Sequence, residues 1–355
     1  MKRVAVIPGD GIGVDVTREA VKILDLVREI RGLPIELVSY DYGADRYLKD
    51  GVSLPAGQLD EWTQHFAAIF LGALGDPRVP DMKHAADILF GIRFGMDLYV
   101  NYRPVQCLDA RLCPLKDRSP KDVDFVVFRE NTEGLYAHVG GIFKKGTPDE
   151  IALQEEINTR KGVERIIVAA FEHAKAAGKT KVLMSDKSNA LRYGHDLWQR
   201  VFYEVAARYP GVEPVHLYVD ALAMQMVKNP AQFQVIVTCN LFGDIVTDLG
   251  AQLQGGLGMA ASANLHPGRT SMFEPVHGSA PKYAEKNVAN PMGAILTAAL
   301  LLDAVGHGPE ARLIEAAVGE AVRGGRSTAD VGGVLGTRET GDAVAALVRR
   351  RAEAA

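Results

Sequence analysis

The chain has 355 residues, 47% hydrophobic and 24% charged, which suits a globular protein with length enough for two domains or one large one. Its net charge of -4 is small, and its compact basic run, Arg349 to Arg351, stands where cations suit a helix end, so nucleic acid is not expected as the main partner. Cys107, Cys113 and Cys239 form an odd count without metal-type spacing; reduced thiols are expected, and a zinc site is not.

RVAVI (3–7) predicts a first strand, DVTREAVKILDLVREI (15–30) an amphipathic helix and PIELVSY (34–40) a second strand. Pro8-Gly9-Asp10 interrupts the apolar start before a signal-peptide core could form. Further strands are expected at AAIFLGA (67–73), DFVVFRE (124–130), TKVLMSD (180–186), PVHLYVD (214–220) and QVIVTCN (234–240). Strands separated by amphipathic helices predict an α/β fold with sheets covered on both faces. The polar, turn-rich stretch 141–162 breaks that rhythm, as a protruding arm or an ordinary surface insertion would. AILTAALLLDAV (294–305) is the most apolar later stretch, but Asp303 interrupts it and it is too short to span a bilayer. It is expected as a buried helix, with no membrane association and a cytoplasmic location.

The turn Gly9-Asp10-Gly11-Ile12-Gly13 follows a strand, as a dinucleotide-binding turn would. The spacing does not fit: the Gly-x-Gly-x-x-Gly fingerprint requires glycine at position 14 or 16, and both are valine. A tight turn is expected instead, and not an ordinary Rossmann fold.

Asp244 and Asp248 are four apart in a helical pattern, so both carboxylates project from one face. Such a pair is either a solvated acidic face or a site for a hard divalent ion such as Mg²⁺ or Mn²⁺. Asp220 and Lys187 are expected at strand ends, where α/β folds place ligands and catalysts. Arg93, Arg103 and Arg129 offer planar guanidinium forks for a substrate with several carboxylates, although a lone arginine is more often in a surface ion pair. Tyr136 follows Arg129 and can donate a proton. In HGSAPKYAEKN (277–287), Lys282 and Tyr283 suit either a solvated turn or a loop holding something flat and anionic.

Seven motifs in order, PGDGIG, R-x-x-x-D-L-Y-x-N-x-R-P from Arg93 to Pro104, RENTEGLY, SDKSNA, YVDALAM, NLFGDIVTDL and EPVHGSAP, resemble those of the β-decarboxylating dehydrogenases. This is the isocitrate/isopropylmalate dehydrogenase family, and the resemblance runs from residue 4 to about 345. It implies two α/β domains: a discontinuous cofactor-binding domain of residues 1–100 and 254–355, and a substrate and dimerisation domain of residues 101–253 with an arm near 141–162. It also implies that Arg93, Arg103 and Arg129 clamp substrate carboxylates, that Asp244 and Asp248 bind the metal, and that Tyr136 and Lys187 are catalytic. Lys187 and Asp220 would reach the site from the other subunit of a homodimer. The implied cofactor site comprises Ile12, Glu274, His277, Gly278, Ser279, Ala280, Lys282, Tyr283, Asn290 and Asp330.

The resemblance also bears on the substrate. Isocitrate-type members place a small hydroxyl residue six positions before the first arginine, whereas isopropylmalate-type members place leucines three and four before it. This chain has Asp87 at the first of these positions and Leu89 and Phe90 at the others. An apolar pair suits an isopropyl group and leaves a carboxylate unpaired, so 3-isopropylmalate is the first expectation. RENTEG is closer to the isocitrate and homoisocitrate branch, and the stretch 146–166 resembles the tartrate and D-malate branch, which are kept as alternatives. A non-catalytic regulatory subunit is a further one, although none of the catalytic residues is lost. Lys282 and Tyr283 match the NADP-type cofactor loop, but the second pair that holds the 2′-phosphate falls on Ala329 and Gly333. NADP is therefore expected ahead of NAD, with both usable.

Overall fold

A computed structural model describes residues 1–354. Its elements begin with β1 (Lys2–Gly9), α1 (Ile12–Arg31), β2 (Ile35–Ser39), α2 (Ala44–Asp50), α3 (Gln58–His65), β3 (Ala68–Ala73), α4 (Lys83–Gly95) and β4 (Val100–Gln106). The middle of the chain forms β5 (Asp124–Glu130), β6 (Gly140–Phe143), β7 (Ile151–Gln154), α5 (Arg160–Ala176), β8 (Lys181–Asp186), α6 (Gly194–Ala206), β9 (Glu213–Tyr218), α7 (Val219–Lys228), β10 (Val235–Thr238) and α8 (Asn240–Leu253). β11 (Ala261–Leu265), β12 (Ser271–Pro275), α9 (Met292–Ala304), α10 (Gly308–Arg323) and α11 (Thr337–Glu353) complete it.

These elements form two compact units, one of residues 1–98, 104–120 and 251–355, the other of residues 99–103 and 121–250. Residues 104–120 thus stand with the first unit, whereas the resemblance implies a place for them in the middle segment; the division falls inside β4.

In the first unit the strands run β2-β1-β3-β12-β11. β1 pairs in parallel with β2 and β3, with Val4 opposite Ala68, whereas β11 and β12 pair antiparallel. ASANL and SMFEP lack a β-branched run, so propensity alone does not flag this hairpin. Under the sheet, Trp62, Tyr42, Ile69, Leu71, Ile88, Ile92 and Met272 pack into one apolar cluster. α9 is the buried helix expected near 294–305: Ile295, Ala298, Leu301 and Leu302 are all enclosed, and α1 and α10 pack against it. Among the described residues no helix is long and apolar enough to cross a membrane.

The second unit holds the parallel strands β5-β10-β8-β9, with α5 and α6 packed together beside them. Trp198, Phe171 and Phe202 on these helices are fully buried, and the two phenylalanine rings meet with centroids 5.6 Å apart. β6 and β7 make a separate two-stranded hairpin, with Gly141 opposite Leu153 and Phe143 opposite Ile151. β9 ends at Tyr218, so Asp220 lies in the first turn of α7 rather than at a strand end as the sequence suggests. The run ALAMQMVK has strong helix formers that start the helix at once, and an acidic residue suits its N-terminus. All three cysteines are free thiols.

Candidate active site

β5 delivers Arg129 to the second unit's site, and α8 delivers Asp244 and Asp248 from the end of β10. Arg129 is only 1% exposed. Its Nη1 donates to Asp244 Oδ1 at 2.6 Å, Nη2 to Asn240 Oδ1 at 2.7 Å and Nε to the Asn240 carbonyl at 2.8 Å. The guanidinium therefore fastens the first turn of α8, and a Cβ at Gly243 would stand 2.4 Å from Arg129 Cγ. Arg103 Nη1 donates to Thr247 Oγ1 at 2.5 Å and lies 3.5 Å from Asp244 Oδ1. The Tyr136 hydroxyl donates to Asp244 Oδ2 at 2.8 Å, and its ring centroid lies 5.2 Å from the Arg129 guanidinium carbon.

Asp244 is thus the point at which two arginines and a phenol meet. Burial, together with the Asp244 charge, pushes the Tyr136 phenol above its ordinary value. Partial burial and then repulsion by Asp244 likewise push the Asp248 carboxyl up, so the two carboxylates on this helix face repel each other. A hard divalent cation, which prefers carboxylate oxygens, fits that donor set. The turn after Arg129 is held by buried Glu130, whose carboxylate accepts the Thr132 and Glu133 main-chain N–H groups at 2.7 and 2.8 Å. Asn240 and Thr247, which spacing alone does not flag, are the residues that hold Arg129 and Arg103; each lies within four residues of Asp244.

A second group in this unit joins β8 to α7. Lys187 Nζ donates to Asp220 Oδ1 at 2.6 Å, and that hydrogen bond holds the Asp220 carboxyl below its ordinary range.

In the first unit, Arg93 is buried near the end of α4, and its Nη2 donates to Glu274 Oε1 at 2.7 Å. The same carboxylate oxygen accepts from Asn264 Nδ2 at 2.8 Å, while Arg93 Nε has no hydrogen-bond partner among the described residues. The expected apolar pair is not a matched pair: Leu89 packs against the core cluster, whereas Phe90 stacks on Phe94 with centroids 5.6 Å apart. Nor is Asp87 a bare anion. It accepts from Lys83 Nζ at 2.7 Å and from Ser53 Oγ at 2.9 Å.

The loop beginning at His277 stands against the start of α1. The Ile12 N–H donates to the Ser279 carbonyl at 2.7 Å, and a Cβ on Gly11, whose φ is 55°, would lie 2.1 Å from that oxygen. The glycine turn therefore admits a second loop, as its failed fingerprint spacing allows. His277 is buried; burial holds its imidazole below the usual value, Nδ1 meets the Gly278 carbonyl at 3.0 Å and Nε2 has no hydrogen-bond partner among the described residues. Such an orphaned buried ring nitrogen fits a polar ligand in this loop, as the cofactor expectation requires. Ala280 takes a left-handed conformation, with φ of 36°, and begins the short turn Pro281–Tyr283. There Lys282 is exposed, with Nζ 4.7 Å from the Tyr283 ring centroid and no ion pair among the described residues. Asn290 Nδ2 donates to Asp330 Oδ2 at 3.0 Å, and Asp330 Oδ1 accepts from Thr328 Oγ1 at 2.5 Å. A Cβ on Gly333 would lie 1.9 Å from the Ser327 carbonyl oxygen, so no side chain can grow from that position without moving the main chain.

Carboxylates on one helix face, arginines trained on them, and a separate loop with an orphaned histidine are the equipment of a metal-assisted oxidoreductase. Residues 3–344 match the model of the family described as isocitrate/isopropylmalate dehydrogenase, and the chain belongs to that family. It is 45% identical to a 3-isopropylmalate dehydrogenase of Thermobifida fusca over 98% of this chain and 97% of the relative. It is 44% identical to one of Streptomyces coelicolor over 95% of this chain and 98% of that protein. The crystal structure of isocitrate dehydrogenase from Methylococcus capsulatus superposes with a TM-score of 0.89 at 36% identity, covering 98% of this chain and all of that one. The chain is a decarboxylating dehydrogenase acting on a CH–OH group, of a type that depends on a pyridine nucleotide and a divalent metal.

Proposed function

We propose that this dehydrogenase oxidises and decarboxylates 3-isopropylmalate, using NADP ahead of NAD and Mg²⁺ or Mn²⁺. The observation that carries the reading is the convergence of Arg103, Arg129 and Tyr136 on Asp244, with Asp248 one helical turn further on. Arg93, Arg103 and Arg129 bind the substrate carboxylates, for which their planar forks are matched. Asp244 and Asp248, with Asp220, hold the divalent ion. When bound, the ion supplies a Lewis acid for the substrate hydroxyl and carboxylate, and the nicotinamide an acceptor for two electrons. Lys187 takes the hydroxyl proton during oxidation. Tyr136, whose raised value keeps it protonated near neutrality, returns a proton to the carbon that loses CO₂.

Leu89 and Phe90 favour an isopropyl group over a further carboxylate, and the identity to two 3-isopropylmalate dehydrogenases supports the same choice. Asp87 contributes less repulsion than a free carboxylate would, because Lys83 pairs with it. Steady-state rates with 3-isopropylmalate, D-malate, tartrate, isocitrate and homoisocitrate test this. A kcat/KM for 3-isopropylmalate at least about tenfold above the others is expected, as one well-packed apolar group provides. A higher value with D-malate or tartrate overturns the substrate, and no turnover with any of the five favours a regulatory subunit.

The active enzyme is proposed to be a homodimer in which Lys187 and Asp220 serve the partner's Asp244 site. The β6–β7 hairpin supports this: Ile142, Phe143, Ile151 and Leu153 are all at least half exposed. A two-stranded hairpin is marginal in water, and contiguous exposed apolar residues mark an association surface. On sedimentation, the double variant Phe143→Asp, Leu153→Asp is expected to run as a monomer with under about a tenth of the parent activity, since charges in an interface core are strongly disfavoured. A dimer of full activity would remove the hairpin from the interface.

A further inference from the structure

We propose that His195, held by Glu156, is the positioning residue that fixes the Lys187 main chain and thereby aims its side chain. The inference rests on the reading of Lys187 as the base. Lys187 lies immediately after β8, outside regular structure, so no strand ladder holds its N–H group. That N–H donates instead to His195 Nδ1 at 2.9 Å. The ring is 0% exposed, and its Nε2 faces Glu156 Oε1 at 3.1 Å.

The tautomer follows from the partners. Nδ1 accepts a main-chain N–H, so it carries the lone pair, and Nε2 carries the proton donated to the carboxylate. Phe242, two residues before Asp244, packs edge-on to the ring with centroids 5.4 Å apart. Cys239 Sγ lies within 4.8 Å of the His195 and Glu156 ligand atoms, a grouping that resembles a small cation site. Both ring nitrogens are already committed and the thiol is buried, so a cation would have to break two hydrogen bonds to enter.

Glu156 belongs to the segment by which the hairpin returns to α5. Asn158 in that segment accepts from Trp198 Nε1 at 2.8 Å, and the Thr159 N–H donates to Glu133 Oε2 at 2.8 Å. One short segment thus touches both the turn that carries Tyr136 and, through His195, the residue that carries the base. A lysine has a long flexible stem, so its amine is only as well aimed as the main chain from which it grows.

Two polar substitutions separate positioning from packing. In His195→Asn the amide oxygen can accept the Lys187 N–H; in His195→Gln the amide reaches the Nε2 position and leaves that N–H without its acceptor. The asparagine variant is expected to keep kcat within about fivefold of the parent, and the glutamine variant to lose about 10- to 100-fold at a nearly unchanged KM, the scale of a small misplacement of a reacting group. Equal kcat in the two variants, or the reverse order, overturns the proposal. Lys187→Met, assayed alongside, separates the two ideas: if it stays active the base assignment fails first, whereas if it is dead and the histidine variants are alike, only the positioning role is lost.

Discussion

Lys187→Met is expected to lower kcat by about a thousandfold or more, within the range that a general base supplies, and to leave binding of Mn²⁺ and of the hydroxy acid within about fivefold by calorimetry. Methionine keeps the length of the side chain and removes the amine. The partner it loses is Asp220, and that ion pair is partly exposed, so the fold is expected to survive. Residual activity within tenfold of the parent would remove Lys187 from the proton-transfer step. The same variant tests the shared site. Mixed and re-associated with an inactive Asp244→Asn chain, it is expected to regain up to about a quarter of wild-type activity, because half of the randomly paired dimers contain one site with both native residues. If each chain carried a complete site of its own, every site in the mixture would lack one residue and no activity would return.

The second large effect is expected in the choice of nucleotide. On the proposed reading, Lys282 and Tyr283 would offer one cation and one phenol to a 2′-phosphate, and the lysine is exposed beside the ring with no ion pair among the described residues. A further cation cannot grow from position 333, where the Ser327 carbonyl occupies the place of a Cβ. NADP is therefore expected to be preferred weakly, with NAD used at a comparable rate. The double variant Lys282→Asp, Tyr283→Ile is expected to shift the ratio of kcat/KM towards NAD by about a hundredfold, roughly 2.7 kcal/mol. A parent enzyme that already prefers NAD by more than that would refute the role given to Lys282. By contrast, Gly333→Arg is expected to lower thermal stability without improving NADP use, since the main chain must move to admit it.

Much of the fold is legible because its signals are local. The β-branched runs at 3–7, 68–73, 124–130 and 181–186 each become a strand, and the apolar stretch near 294–305 becomes a buried helix. The hairpin of β11 and β12 is missed because its residues are small or polar and are held in the sheet by neighbours, a tertiary effect that outweighs propensity. Asp220 is placed one element too early because a strand runs directly into a helix with only a main-chain change at Tyr218 and no glycine or proline to mark it.

The chemical inventory of this protein, its acidic pair, its arginines, its lysine and tyrosine and the loop at 277–287, can be read from the sequence, since each occurs within a short motif whose residue types limit what it can do. What only the tertiary structure decides is which of these groups meet. Arg129 and Asp244 are 115 residues apart in the chain, and nothing local to either shows that they bond or that Asn240 directs the contact. His195, eight residues after Lys187, looks like any helix histidine until its Nδ1 is found on the lysine N–H and its Nε2 on Glu156. Likewise Gly333 is one more glycine in the sequence, and only the fold shows a carbonyl where its side chain would be. Composition and motif set which reactions the residues can support, whereas partners, tautomer and steric room come from chain segments brought together by folding.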